Sequence, residues 1–143
     1  MMLYVVAIAI HVVVAVLAIG VVGAVPLVAR LARKDGTMAA SPERLLGALL
    51  RVMQLGFFAM LLTGILLDIS MDGAFHRTTW FKVSIAVLAI IGFSHARARV
   101  ALRKGFAPGG GREVALANVE RWGWTMCAAV AVITLLMQMK PLP

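Results

Sequence analysis

The sequence predicts an all-α fold: an integral membrane bundle of four transmembrane helices with both termini outside. Three observations predict it. Of 143 residues, 62% are hydrophobic and only 14% charged, against an apolar share of about 45–50% in ordinary soluble domains. Those roughly 89 apolar positions are close to the ~80 that four spans of about 20 residues use. Finally, the basic residues divide unevenly between the two sides that four spans create, 11 against 3, as loop charge does when it sets orientation.

The same arithmetic excludes several classes. A soluble 15 kDa domain cannot hide so much apolar surface. Disordered tails and nucleic-acid-binding domains are poorer in apolar residues, and the net charge of +8 is read here as topology. The single cysteine, Cys127, lies in an apolar run and excludes an internal disulfide framework or a thiolate zinc site. No segment alternates with period two, so a β-barrel is not expected.

The whole chain, 1–143, reads as one membrane domain with spans at about 3–28, 52–69, 79–96 and 122–139. Span one is a 26-residue apolar run broken only by His11. It is too long for a signal-peptide h-region, which predicts a retained helix. The cluster Arg30, Arg33, Lys34, Asp35, Gly36 ends it. Ser41-Pro42-Glu43 has the form of a helix start, with serine as cap and proline at the first helical position. Helix two then runs to Ile69, and Asp68, Asp72 and Gly73 mark the following turn.

Helix three opens at Thr79-Trp80 and carries a basic extension with Arg97, Arg99, Arg103 and Lys104. Pro108-Gly109-Gly110-Gly111 is the clear break. Arg112 to Arg121 is a polar helical lead-in to span four. The 11 basic residues of loops one and three place both loops in the cytoplasm, as in a bacterial-type inner membrane. Tyr4 and Trp80 then fall at the outer interface, and Trp122 and Trp124 at the inner one.

His11 is the most informative position. It stands eight residues into span one, about 12 Å below the outer end, where an ionisable group is costly and needs a partner. Two roles suit it: a ligand or proton-handling group, or a histidine hydrogen-bonded across the bundle. Its helical face carries Tyr4, Ala7, Ile8, Ala15, Ala18 and Val22, small enough for a ligand or helix to come close. Lys82, just inside Trp80, either snorkels to the surface or turns inward toward a carboxylate. His95 lies 13 residues after Lys82, about 140° around the helix from it, and shares a face with Ser84, Leu88 and Ile91. Its depth differs from that of His11 by on the order of 10 Å. His76, with Met71, Asp72, Met137 and Met139, offers soft donors of a kind that suits copper. Gly20, Gly23, Gly56 and Gly64 allow close helix approach and make a homodimer conceivable.

Over nearly its whole length the chain resembles the small four-helix membrane proteins of the HemJ-type protoporphyrinogen oxidases and their CopD-like relatives. The resemblance is carried by His11 in span one, Pro26-Leu27 and Arg30-Leu31 after it, Trp80-Phe81-Lys82 opening span three, and His95 closing it. Asn118-Val119-Glu120 before span four and Met139-Lys140-Pro141 at the end complete the set. The resemblance implies a haem b cofactor, with His11 as metal ligand and His11, Lys82 and His95 as cofactor-binding candidates. Lys82 would also be the residue with a catalytic role, steadying a propionate. It implies an oxidoreductase acting on a porphyrinogen or exchanging electrons with a membrane-soluble carrier. The alternatives are a copper-handling protein or a non-enzymatic accessory subunit of a larger membrane complex.

Overall fold

A computed structural model describes residues 2–35 and 42–138. The cap position Ser41 and the closing Met139-Lys140-Pro141 lie outside the described residues. Four helices make up most of the described residues: α1 (Met2–Asp35), α2 (Pro42–Ser70), α3 (Thr79–Gly105) and α4 (Arg112–Gln138). All four are long and apolar enough to cross a membrane, so the protein is a multi-pass membrane protein.

The helix ends follow from charge and backbone chemistry. Arg33 and Lys34 occupy the last turn of α1, and Arg103 and Lys104 that of α3. Glu43 and Glu113 occupy the first turns of α2 and α4. Each charge thus opposes the partial charge of its own helix end. α1 continues past its apolar run through the basic cluster to Asp35, because lysine and arginine are good helix formers and suit a C-terminal turn.

Neighbouring helices are antiparallel. α1 packs on α2 and α4, and α3 packs on α4, while α2 and α3 are the most loosely packed neighbours. The core is concentrated in the half of the bundle nearer the α1–α2 and α3–α4 connections, here called the basic end. Val25, Ala29, Leu46, Leu50, Ala98, Leu116, Val119 and Met126 are almost completely buried there. Toward the opposite end, where α1 begins and α4 ends, burial among the described residues is sparse, with Ala7, Thr63, Leu67 and Ser84 its main members. The outward faces are apolar: Leu17 is 66% exposed and Leu55 70%, as expected of helices whose solvent is hydrocarbon.

Two close approaches set the bundle. A Cβ on Gly123 of α4 would stand 2.9 Å from the ring of Pro26 in α1, so glycine is what lets the proline seat against that helix. One turn earlier, the Val22 carbonyl lacks the amide that residue 26 would normally supply, because proline has no N–H. The Cys127 thiol, one turn beyond Gly123, donates to it at 3.6 Å. The α3–α4 turn is equally tight, with Gly105 directly against Ala115.

Candidate functional site

His11 does not stand alone in the bundle. Its Nδ1 lies 2.7 Å from the Thr63 hydroxyl on α2. That hydroxyl donates its own proton back along its helix to the Ala59 carbonyl at 2.8 Å, the usual arrangement for a mid-helix threonine. With the hydroxyl proton on that carbonyl, the Thr63 oxygen accepts from Nδ1–H, the tautomer that leaves a lone pair on Nε2. Nε2 has no hydrogen-bond partner among the described residues.

The histidine lines a cavity of about 280 Å³ in the loosely packed half of the bundle. Gly64 lets the ring lie close: a Cβ there would be 3.9 Å from His11 Cε1. Tyr4 and Ile8 contribute from α1, Met60 from α2, and Ser84 and Leu88 from α3. Aromatic Phe75, Trp80 and Phe81 form the wall toward the termini, with Trp80 edge-on to both phenylalanines. Ser84 donates its hydroxyl proton to the Trp80 carbonyl at 2.9 Å. The chamber is mostly apolar, and His11 is its one imidazole.

The other expected site residues fall elsewhere. Lys82 is exposed and does not line the cavity. His95 uses Nε2 to donate to the Leu50 carbonyl across the α2–α3 seam at 2.8 Å. It lies seven residues beyond Leu88 on α3, about 10 Å further along the axis. Of the three cofactor-binding candidates, the structure brings only His11 to the cavity.

His76 also has a settled role. Asp68 at the end of α2 accepts from the backbone amides of Phe75 and His76 at 3.0 and 3.1 Å, and from His76 Nδ1 at 3.0 Å. Its carbonyl accepts from Gly73 at 2.9 Å, where the chain turns through positive φ at Asp72 and Gly73. One carboxylate thereby organises the α2–α3 turn that roofs the cavity. Met139 lies outside the described residues, and no group of three His, Cys, Asp or Glu suited to a metal occurs among those described.

The chain matches no known protein family, curated protein or solved structure. The chemistry of the site therefore rests on its own residues. An imidazole tied through Nδ1 leaves Nε2 available, and histidines that bind metals commonly have their other nitrogen tied in this way. Proximal histidine with an apolar surround also suits a haem. The cavity falls just below the about 300–1,000 Å³ usual for small-ligand sites, and it is lined from both α2 and α3, the most loosely packed neighbours.

Thr63, Met60 and Gly64 were not legible as site residues. The signal that finds Thr63 is physical: a histidine at depth requires a polar partner on another span, and Thr63 is the hydroxyl on α2 at matching depth.

Proposed function

We propose that the protein is a haem b-binding membrane protein in which His11 would hold the iron. The observation that carries this reading is the chain from His11 Nδ1 through the Thr63 hydroxyl to the Ala59 carbonyl. It commits one imidazole nitrogen to the scaffold and leaves the other to the cavity. Haem, when bound, supplies one-electron redox chemistry within the bilayer. His11 would hold the iron through Nε2, and Phe75, Trp80 and Phe81, which wall the cavity, would help to exclude water from it. Electron exchange with a membrane-soluble carrier, or oxidation of a porphyrinogen, is the activity this arrangement serves. Lys82, on the exposed face of α3, would act by snorkelling to the interface.

The basic end is proposed to face the cytoplasm of a bacterial-type inner membrane, since 11 of the 14 Lys and Arg residues belong to it.

The test is the absorption spectrum of detergent-purified protein expressed with haem precursors. A Soret band that is lost in His11→Ala and kept in His95→Ala supports the reading. A colourless protein, or a band indifferent to His11→Ala, overturns it.

A further inference from the structure

The loose side of the bundle has a second opening. At the basic end, α2 and α3 diverge around a cleft of about 900 Å³ whose walls carry Arg44 and Arg51 from α2 and Arg99 and Arg103 from α3. Glu43 is the single carboxylate lining it, and it forms no ion pair among the described residues. Of the five other arginines of this end, Arg30 is exposed on α1 outside the cleft and the remaining four are engaged elsewhere. Arg33 is paired with Glu120 at 2.7 Å, Arg97 and Arg121 stack over Trp122, and Arg112 lies over Phe106. Of the four in the cleft, Arg99 donates to the Gln54 amide oxygen, and the rest have no protein acceptor among the described residues. Like charges gathered from two helices repel one another, so the cleft is arranged for an anion.

The shape specifies which kind of anion. Arg51 and Arg99 lie about 10 and 6 Å deeper along their helices than Arg44 and Arg103, giving two tiers of guanidinium, the inner one just before the apolar stretch of α2 that follows Gln54. The rest of the wall is largely apolar, Val100 included, and the opening lies between helices on the outer face of the bundle. A small soluble anion would be held equally well by a closed polar pocket. An opening that is cationic at the interface and apolar below it fits an amphiphile.

We propose that this cleft binds the headgroup of an anionic phospholipid, with its acyl chains lying along the α2–α3 seam. The inner arginines hold the phosphodiester through charge-assisted, fork-shaped hydrogen bonds, and the outer pair offsets the remaining headgroup charge.

The experiment is native mass spectrometry of the full chain extracted from mixed phosphatidylglycerol and phosphatidylcholine bilayers. The wild type is expected to retain phosphatidylglycerol selectively. Each cleft arginine removed should weaken retention about five-fold, and the Arg51→Gln/Arg99→Gln pair about twenty-five-fold. Arg112→Gln, at the same end but outside the cleft, should change nothing. If the inner pair fails to fold, Arg44→Gln/Arg103→Gln at the exposed mouth carries the same expectation. Equal retention of the two lipids, or retention unchanged in a folded double variant, overturns the proposal. So does displacement of the lipid by inorganic phosphate alone at millimolar concentration, which would make the site one for a free anion.

Discussion

The Cys127 thiol and the Val22 carbonyl, 105 residues apart in sequence, meet at 3.6 Å across α1 and α4. Proline at position 26 leaves that carbonyl without its helical donor, and a cysteine on the neighbouring helix takes the vacancy. The single cysteine of the chain is thus a structural donor. Cys127→Ala is expected to cost about 1 kcal/mol of stability in detergent. In a Pro26→Ala background, where residue 26 regains its N–H, the same change should cost measurably less. Equal cost in both backgrounds would show that the thiol serves packing only.

Gly123 bears on the same crossing. An alanine there places its Cβ 2.9 Å from the Pro26 ring and 3.0 Å from its nitrogen, closer than real contacts allow. Gly123→Ala should destabilise the bundle by about 1–3 kcal/mol, read by denaturant unfolding in micelles. Gly20→Ala, where a Cβ meets nothing within 4 Å, should be neutral or slightly stabilising.

Thr63 is expected to control the site without touching a ligand through its own oxygen. In Thr63→Val the imidazole loses the acceptor that sets its tautomer, and haem affinity measured by Soret titration should fall about 10–100-fold. Thr63→Ser, which restores the hydroxyl, should recover most of it. An unchanged affinity in the valine variant would detach Thr63 from the site.

Asp68 holds the roof of the cavity. Asp68→Ala removes the acceptor for the Phe75 and His76 amides, so hydrogen exchange at those two positions should accelerate several-fold while that of the α1–α4 crossing stays as it was. Exchange unaltered at Phe75 would mean that the turn is held by its own backbone bonds.

Much of this architecture was legible in the sequence because spanning a membrane is a severe demand on composition. The helix ends at Pro42, Thr79 and Arg112 coincide with proline, aromatic and charged signals, and the face expected around His11 is the one that turns inward. Ala7 and Val22 are buried, and Tyr4 and Ile8 line its cavity. The partner was not legible. A threonine among leucines and methionines is indistinguishable from filler until the register of α2 on α1 is known, and register is a property of packing. Lys82 and His95 were legible in part: a spacing of 13 residues already sets them about 140° apart around α3. The structure has Lys82 on the exposed face and His95 against the Leu50 carbonyl, a contact that only the α2–α3 register reveals. The gathering of four arginines between α2 and α3 was hidden for a further reason: in a list they are ordinary members of the orientation signal.

The unequal packing of the four helices gives the molecule something like the form of a half-open book. α1 and α4, seated together at Pro26 and Gly123, are the spine, and α2 and α3 are the two covers. The pages open sideways into the lipid, so a guest bound for His11 would come from the plane of the bilayer. Supply and selection of that guest would be governed by what dissolves in the membrane, with the aqueous compartments on either side acting only through it.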